Sequence, residues 1–421
     1  MKPTVVGQDP VTGAAEHHLP LRIGVIGLGR AFTLMLPTFL LDARVKLVAA
    51  ADPAAAARRQ FESDFNGPTY DDARALCANP QVDVVYIASP HQFHAQHTQW
   101  AADHGKHVLV EKPMALSLDE CTQMVDAAKR KGVHLVVGHS HSFNRPILRA
   151  KQIIDSGLYG AVKMIATFNY TDFLYRPRRP EELDTRAGGG VVYSQAAHQL
   201  DLVRLLGGGR VTSISAHTGK WDAARPTEGA YSALLGFENG AFATATYSGY
   251  AHFDSDECMG RIGEMGNPKH PTEYGQARRR LSGVASAQFE AELKAARNYG
   301  GSAYAAKPPA AMKTTTGGPA ALAHQHFGPV VISCERADLK PDAHGVSIYA
   351  DDQVSFEPLP PPAIPRVEVI DELWNAIVRG QAPLHSGEWA RATTAVCLAL
   401  LESAQSGQSV RPPFQIAASP T

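Results

Sequence analysis

Short apolar runs that alternate with helical segments restrict the fold of this chain more than any other feature of its sequence. Starting at residue 21, four such runs are separated by segments of helical character: 21–26, 46–51, 82–88 and 107–110. Strands that alternate with helices pair side by side in a parallel sheet. We therefore predict an N-terminal α/β domain over residues 20–145, preceded by a disordered or extended tail at 1–19.

The pattern changes after a further apolar run at 135–138. Strand-like segments now follow one another with few helices between them: 162–170, 211–217, 231–237 and 241–247. Such runs are typical of a mainly antiparallel sheet, and 421 residues exceed what one hydrophobic core usually supports. We predict a second domain over residues 146–365 and, at 366–421, helices that pack back on the first domain.

An insertion interrupts the second domain at residues 254–326. It contains an Arg- and Ala-rich segment of helical character at 273–298, followed by a loop rich in Pro, Gly and Thr. Long segments of this kind inside a compact domain are usually functional. We expect the insertion to form a lid or a subunit contact.

Charge and hydropathy exclude several classes of function. With 40 basic and 41 acidic residues the net charge is −1. The protein as a whole therefore has no excess positive charge to attract nucleic acid or an acidic membrane surface. No stretch approaches the roughly 20 apolar residues of a membrane span, and the polar start lacks a signal peptide's apolar run. The 5 cysteines form no CxxC pair, which argues against structural zinc. We expect a cytoplasmic protein with a small-molecule substrate and no metal.

A Gly-x-Gly turn follows the first predicted strand. Gly27 and Gly29 match the first two glycines of GxGxxG, in which the backbone approaches a pyrophosphate at a helix N-terminus. Phe32 occupies the third position, so the turn alone also fits an ordinary strand-to-helix connection. Asp52, 25 residues after Gly27 and at the end of the second strand, favours a dinucleotide site because a carboxylate there accepts ribose hydroxyls.

Asp52 also bears on the choice of cofactor. A carboxylate repels the 2′-phosphate of NADP, so we predict NAD. The same residue stands directly before Pro53 and fits the N-cap of a helix, and the two interpretations are compatible.

Lys112 is a candidate catalytic residue because of its place in the chain. Glu111, Lys112 and Pro113 follow the run at 107–110, at the carboxyl edge where open α/β sheets bind ligands. A partly desolvated ammonium beside a positively charged nicotinamide has a lowered pKa and can hydrogen-bond a substrate hydroxyl or share its proton. Outside this context Lys112 would be interpreted as a surface lysine.

His198 is a second candidate. After three glycines at 188–190, a helix-like stretch carries Ser194, His198 and Asp201 at i, i+4 and i+7, so one helix face presents all three. A histidine titrates near neutrality and is a natural proton acceptor, whereas a lone histidine in a helix is more often a satisfied core residue. The pattern leaves both interpretations of His198 open.

Residues 82–113 resemble the signature of a known family. They read VDVVYIASPHQFHAQHTQWAADHGKHVLVEKP, which is similar to the strand, Thr/Ser-Pro, histidine, helix, Gly-Lys-His and Glu-Lys-Pro of the glucose-fructose oxidoreductase and inositol dehydrogenase family, Gfo/Idh/MocA. The resemblance runs from residue 21 to about 410. It implies a Rossmann doubly wound parallel sheet, a mainly antiparallel substrate domain, NAD, and a homo-oligomer (dimer or tetramer) formed through the open sheet face.

The resemblance also implies roles for individual residues. Lys112 is the catalytic lysine, Glu111 lies near the nicotinamide ribose, and His198 is retained from the family's Asp-x-Gly-x-His motif. The aspartate of that motif is Ser194 here and its glycine is Ala196. A polyol substrate that binds through that aspartate is therefore in question. The other residues that would line the cofactor are Arg30, Ala31, Phe32, Ala88, Ser89, Pro90, His91 and His94.

Three further stretches resemble one branch of the family, the dehydrogenases of 4,5-dihydroxyphthalate or phthalate cis-4,5-dihydrodiol: GGGVVYSQAAHQLDLVRLLGGG, FLYRPRRPEELDT and VVISCERADLKPDAHG. The branch implies NAD-dependent oxidation of a cis-dihydrodiol of an aromatic carboxylate. Arg176, Arg178 and Arg179 would then hold the carboxylates, although a basic surface loop has the same composition. His141 stands where sugar dehydrogenases of the family often carry arginine, which indicates a different pocket.

Three other functions fit the same residues. One is a sugar or inositol dehydrogenase of the same family, and another is an NAD-dependent glycosidase without net redox change. A cofactor-sensing binding protein without turnover is the third, although the retention of Lys112 and His198 argues against a dead site.

Overall fold

The computed structural model describes residues 20–305 and 323–420. The predicted tail at 1–19 and part of the predicted insertion lie outside the described residues. None of the helices in these two ranges combines the length and the apolar character that crossing a bilayer requires.

A parallel sheet of six strands forms the first half, as the alternating pattern predicts. The apolar runs at β1, β4 and β6 are almost entirely buried because helices cover both faces, which is the environment of parallel strands. The strands are β1 (Leu21–Ile26), β2 (Val45–Ala51), β3 (Thr69–Tyr70), β4 (Val84–Ile87), β5 (His107–Val110) and β6 (Leu135–Val137), in the order β3-β2-β1-β4-β5-β6. The helices are α1 (Arg30–Leu41), α2 (Ala55–Phe65), α3 (Ala73–Cys77), α4 (His94–Asp103), α5 (Leu118–Lys131) and α6 (Arg145–Asp155).

An eight-stranded, mainly antiparallel sheet forms the second half, in the order β14-β13-β12-β11-β7-β10-β9-β8. The pair β7 and β10 is parallel, and the other neighbours are antiparallel. The predicted fold class, a Rossmann sheet plus a mainly antiparallel sheet, is confirmed. The strands are β7 (Val162–Tyr170), β8 (Val211–Gly219), β9 (Ala230–Phe237), β10 (Phe242–Ser248), β11 (Val330–Cys334), β12 (Ala337–Asp342), β13 (Gly345–Ala350) and β14 (Val354–Pro358).

The two faces of the second sheet differ. One face packs on α7 (Ala197–Gly207), whose side chains join the core of this half. The strand register places Met164, Leu234, Phe242 and Tyr349 together on the other face, where they are 38%, 51%, 45% and 44% exposed. We call this second surface the open face.

The predicted insertion reaches the first sheet. Its single expected helix at 273–298 is wrong, because Gly283 ends one helix and Ser286 caps the next by accepting a hydrogen bond from the Phe289 amide. The Tyr299 ring packs edge-on against Phe32, with 5.1 Å between ring centroids. The helices of this segment are α8 (Gln276–Ser282), α9 (Ala287–Ala295) and α10 (Ser302–Ala305).

The two closing helices, α11 (Val367–Arg379) and α12 (Gly387–Ser406), pack differently. In α11, Ile370 and Leu373 lie in the core of the first sheet, as expected. In α12, Trp389 and Leu400 lie in the core of the second sheet, whereas Ala390 lies in a core cluster of the first, because this helix contacts both β8 and α5. Helix α12 therefore packs between the two halves, and the predicted domain boundaries stay a prediction.

Candidate active site

The candidate site lies where the carboxyl ends of β1, β4, β5 and β6 meet. The order of strands in the first sheet reverses between β1 and β4, and ligands of open α/β sheets bind at such a point. The loops that leave these strand ends carry Gly27 and Gly29, the segment from Ser89 to His94, Glu111 with Lys112, and His141. The segment before α7 faces them from the second half, because Lys112 bonds to it.

The Gly-x-Gly turn has the geometry of a phosphate-binding loop. Gly27 has φ +93°, and a Cβ there would lie 2.7 Å from the Ala88 carbonyl and from the Ser89 nitrogen. A Cβ at Gly29 would meet nothing within 4 Å, so open space lies beside the backbone. Helix α1 begins at Arg30, and its N-cap Gly29 has no side chain that could accept a hydrogen bond from the first backbone N–H groups of the helix. The first N–H groups of α1 are therefore available to an anion.

Phe32 explains the departure from the third glycine. Its side chain is fully buried in the core of the first sheet and contacts Tyr299 of the insertion. The turn is thus held by an aromatic contact with the insertion, and the Tyr299 amide also donates to the Leu28 carbonyl at 3.2 Å.

Asp52 joins the turn to the start of α2. One carboxylate oxygen accepts from the Leu28 amide and the other from the Ala54 amide, each at 2.7 Å. The N-cap of α2 is Ala54, so the interpretation of Asp52 as the N-cap is wrong; from two residues earlier, Asp52 accepts the hydrogen bond of the N-cap amide. Each oxygen keeps a further lone pair that can accept a ribose hydroxyl.

His94 holds two loops together. Its ring is completely buried, with Nδ1 3.0 Å from the Pro113 carbonyl and Nε2 2.9 Å from the Ser89 carbonyl. Burial lowers the pKa of His94, so the neutral ring has one N–H and donates to one of these two carbonyls, while its other nitrogen faces the second; both nitrogens thus face backbone rather than open space. His91 lies edge-on to this ring, and burial together with the His94 charge lowers the pKa of His91 to about 3.

Glu111 and Lys112 point into different surroundings. Tyr86 donates a hydrogen bond of 2.6 Å to Glu111, and burial raises the pKa of that carboxyl. Lys112 Nζ donates to the Ser194 carbonyl at 2.9 Å, and this bond joins the first half to the second. Burial lowers the pKa of Lys112, while the charges of Glu111 and Glu264 oppose the shift.

The segment with Ser194 and His198 is not a regular helix. Residues Val192–Ala196 form one π-helical turn before α7, and the Ser194 hydroxyl donates to the Gly190 carbonyl. Asp201 accepts hydrogen bonds from Ser140 Oγ and Trp389 Nε1, both at 2.6 Å, so it supports the turn after β6.

His198 lies at the centre of an aromatic cluster. It is 7% exposed, and its ring centroid is 4.8 Å from that of His141 and 5.2 Å from that of Phe327. The buried Nδ1 has no hydrogen-bond partner among residues 20–305 and 323–420. Burial and the Lys112 charge hold the pKa of His198 well below its usual range, so the imidazole is neutral and can accept a proton.

A chain of hydrogen bonds runs beside this ring. His139 Nε2 lies 3.2 Å from Asn144 Oδ1, Asn144 Nδ2 lies 2.9 Å from His141 Nδ1, and His141 Nε2 lies 3.3 Å from Glu264 Oε1. Sequence reasoning found His141 but missed Asn144 and Glu264. Within the described residues, no group of three or more His, Cys, Asp or Glu side chains is placed to hold a metal ion.

The three arginines of the loop before the glycines have separate partners. Arg176 is 42% exposed and pairs with Asp172 at 3.3 Å. Arg178 stacks on Phe173, 3.6 Å from the ring centroid, and its charge helps to lower the pKa of Lys112. Arg179 lies 3.2 Å from Glu181. The charges of Arg176 and Arg179 act on Glu264 and His91, respectively.

Arg366 is a cation that the sequence did not indicate. It precedes α11, and its guanidinium contacts Gln325 Oε1 at 3.3 Å and Met265 Sδ at 3.7 Å. Its charge helps to lower the pKa of His198. No sequence pattern marks it, because it follows a proline-rich segment far from the other site residues.

Comparisons with known proteins agree with this arrangement. A family profile described as oxidoreductase family, NAD-binding Rossmann fold, matches residues 21–139. A second profile, described as GFO/IDH/MocA C-terminal domain, matches residues 147–267.

Individual relatives cover nearly the whole chain. The 1-carboxy-3-chloro-3,4-dihydroxycyclo hexa-1,5-diene dehydrogenase of Comamonas testosteroni is 52% identical over 383 residues, 91% of this chain and 94% of that protein. A crystal structure from Bordetella bronchiseptica RB50 has a TM-score of 0.85 and 41% identity, and the match covers 93% of this chain and 100% of that one. The aldose-aldose oxidoreductase of Caulobacter crescentus, at 20% identity and a TM-score of 0.66 over 93% of this chain and 99% of its own, shares the fold.

Proposed function

This chain belongs to the GFO/IDH/MocA family of oxidoreductases, and on that premise we propose that it oxidises a cis-dihydrodiol of an aromatic carboxylate to a catechol. The specific substrate we propose is phthalate cis-4,5-dihydrodiol, with 4,5-dihydroxyphthalate as the product. The observation that carries the proposal is a neutral His198, whose Nδ1 has no hydrogen-bond partner in the described part of the chain, close enough to Lys112 for the lysine charge to lower its pKa. The substrate class is supported by the 52% identical relative, which is named as a dehydrogenase of a carboxylated dihydroxycyclohexadiene.

The residues at this edge fit a nicotinamide dinucleotide. Gly27 and Gly29 leave room for a pyrophosphate at the N-terminus of α1, and Asp52 keeps lone pairs for ribose hydroxyls. Glu111 directly follows β5, which is separated from β1 by β4 alone. The resemblance places this residue near the nicotinamide ribose. When bound, the nicotinamide supplies the acceptor for a hydride.

The side chains divide the remaining chemistry. His198 accepts the proton of the hydroxyl that is oxidised, and Lys112 stabilises the negative charge that develops on its oxygen. The Ser194 hydroxyl already donates to the Gly190 carbonyl, so it contributes orientation rather than proton transfer. The resulting hydroxy-enone becomes a catechol by moving the proton of the neighbouring carbinol carbon to the new carbonyl oxygen, and aromatisation makes the oxidation downhill.

The wall beside His198 suits a flat ring. Phe327 is 2% exposed, and Tyr247 stacks on it at 5.9 Å with 12° between the ring planes. A cyclohexadiene ring can lie against such a surface with little loss of contact.

A substrate screen tests the proposed function. The wild-type enzyme with NAD is offered aromatic carboxylate dihydrodiols, inositol and aldoses, and reduced nicotinamide is followed by absorbance. We expect turnover with the dihydrodiols, and faster turnover with a polyol would favour the sugar dehydrogenase alternative. Steady accumulation of reduced cofactor excludes a glycosidase without net redox change.

Asp52 should set the preference for NAD over NADP. Asp52→Ala removes the carboxylate that would repel a 2′-phosphate and bond ribose hydroxyls, so we expect the ratio of kcat/KM for the two cofactors to fall by about tenfold or more. Asp52→Asn keeps an acceptor for the Leu28 amide and should show the same direction without disturbing the turn. Asp71→Ala, an exposed carboxylate beyond β3, is the matched control. Equal turnover of NAD and NADP by the wild type would overturn this assignment.

The arginine loop should recognise the ring carboxylates. We expect Arg176→Ala or Arg178→Ala to raise KM for a carboxylated dihydrodiol by about 10- to 150-fold, the usual value of a charge-assisted hydrogen bond, and to change KM for a neutral diol much less. Arg186→Ala, an exposed arginine of the same loop, is the control. If neither substitution separates the two substrates, the arginines are surface residues and the phthalate assignment loses its main physical support.

We also propose that a second copy of the chain covers the open face. Four apolar side chains there, Met164, Leu234, Phe242 and Tyr349, are each more than a third exposed, which is unusual for a free surface. We expect the wild type to sediment as a dimer or tetramer, and the double variant Leu234→Asp, Phe242→Asp as a monomer with unchanged circular dichroism. A monomeric wild type at micromolar concentration would contradict this.

A cytoplasmic location is the last element of the proposal. The cysteines of the described chain are all free, which suits a reducing compartment. Recovery of the enzyme with markers of an oxidising compartment on cell fractionation would contradict it.

A further inference from the structure

A carboxylate enters the active site from the insertion. Glu264 lies in a tight turn whose backbone is fixed on both sides: the Gly263 amide donates to the Asn267 carbonyl at 2.8 Å, and the His326 amide donates to the Glu264 carbonyl at 3.2 Å. Its side chain is 28% exposed and contacts the nearly buried His141. The carboxylate is therefore held in place and still open to a ligand.

The hydrogen bonds around Asn144 fix the state of His141. Asn144 Nδ2 donates to the Gln325 carbonyl at 2.8 Å, and only the amide nitrogen can do so. The same group lies 2.9 Å from His141 Nδ1, which must therefore accept. The ring proton then lies on Nε2 and is donated to Glu264 Oε1. His141 has both nitrogens occupied, so it orients Glu264 and cannot itself serve as a base for substrate.

Glu264 keeps one oxygen for a ligand. Oε2 has no hydrogen-bond partner among the residues that the structure describes, whereas Oε1 is occupied by His141. Burial alone would raise the pKa of Glu264, but the hydrogen bond from His141 and the positive charge of Arg176 lower it to about 2. The carboxylate is thus ionised at every working pH, and an ionised carboxylate can only accept hydrogen bonds.

Glu264 and His198 are both neighbours of the His141 ring. The His141 ring, which holds Glu264, lies 4.8 Å from the His198 ring, and the Glu264 charge acts on Lys112. The two hydroxyls of a cis-dihydrodiol sit on adjacent carbons on the same face of the ring. A proton acceptor for one hydroxyl and a hydrogen-bond acceptor for the other must therefore be close neighbours.

We propose that Glu264 is a substrate-binding residue that accepts a hydrogen bond from the hydroxyl that is not oxidised, and so selects vicinal diols over single alcohols. This inference rests on the proposed function. Ser194 occupies the aspartate position of the family's Asp-x-Gly-x-His motif, so this chain lacks that carboxylate. Glu264 supplies a carboxylate to the pocket in its place. His141 is a positioning residue in this scheme, because it acts on substrate only through Glu264.

The test compares two substrates in the holoenzyme with NAD. One is the carboxylated cis-dihydrodiol, and the other is the matching cyclohexadienol with a single hydroxyl. We expect Glu264→Gln to raise KM for the diol by about 10- to 100-fold, because a charge-assisted hydrogen bond is lost, and to leave KM for the single alcohol within about twofold. Glu257→Gln, an exposed carboxylate of the same insertion, should change neither value.

A second variant and a binding measurement complete the design. Glu264→Asp keeps the charge but retracts it by one methylene, so it should raise the diol KM as well while keeping the fold. Calorimetry with the catechol product should show a loss of affinity in Glu264→Gln of the same size as the change in diol KM. Equal effects on both substrates, or no effect on either, would overturn the inference even if the wild type oxidises dihydrodiols. A wild type that oxidises no dihydrodiol would overturn the proposed function itself.

Discussion

Replacing His198 with alanine is expected to lower kcat by about 10²- to 10⁴-fold while leaving NAD affinity near normal. The imidazole is the proposed base: it is buried, its Nδ1 has no hydrogen-bond partner in the described chain, and its ring contacts His141 and Phe327 rather than the Gly-x-Gly turn. The measurement is steady-state kinetics at saturating substrate, with a deuterium isotope effect to show that hydride transfer limits the rate. His217→Ala, an exposed histidine of β8, is the control. If His198→Ala kept nearly the kcat of the wild type, the proposal that His198 accepts the hydroxyl proton would be wrong.

The same histidine predicts the acid limb of the pH profile. Burial and the Lys112 charge lower the pKa of His198, so the imidazole stays neutral and able to accept a proton at pH values below its ordinary 6.5. Activity is then present above the lowered pKa and is lost only as the pH falls through it. We expect kcat/KM of the wild type to stay constant down to a lower pH than a histidine with an ordinary pKa would allow. In His198→Ala, the decrease of kcat/KM at acidic pH that is due to this histidine should be absent.

Replacing Lys112 with alanine is expected to lower kcat by a similar factor, about 10²- to 10⁴-fold. The ammonium donates to the Ser194 carbonyl and interacts with the charges of Glu111 and Glu264, and in the proposed mechanism it stabilises the reacting oxygen. Lys106→Ala, at the opposite end of β5, where Nζ bonds to the Val82 carbonyl, should keep near-normal kcat. If Lys112→Ala raised only KM, Lys112 would bind substrate without stabilising the alkoxide.

Strand positions could be predicted from sequence because they depend on local pattern. Buried apolar runs mark β1 and β5 without any tertiary information, and the carboxyl-edge location of Lys112 follows from them. The single helix expected at 273–298 failed because its composition outweighed two weak local signals, Gly283 and the cap Ser286.

Side-chain partners could not be predicted, because they depend on contacts between distant segments. Glu264 meets His141 across 123 positions of sequence, and no periodicity connects the two. His94 resembles a cofactor contact in sequence, yet its two nitrogens face the carbonyls of Ser89 and Pro113. Phe32 replaces the third glycine of the pattern, and its ring packs on Tyr299, which is far away in the sequence.

Transfer of a labelled hydride tests the central claim most directly. A dihydrodiol of phthalate carrying deuterium at the carbinol carbon that is oxidised is mixed with excess enzyme and NAD, and both products are analysed by mass spectrometry. We predict one deuterated reduced nicotinamide for each 4,5-dihydroxyphthalate formed. Catechol formed without reduced nicotinamide, or no catechol from any carboxylated dihydrodiol while a polyol is oxidised, would contradict the account.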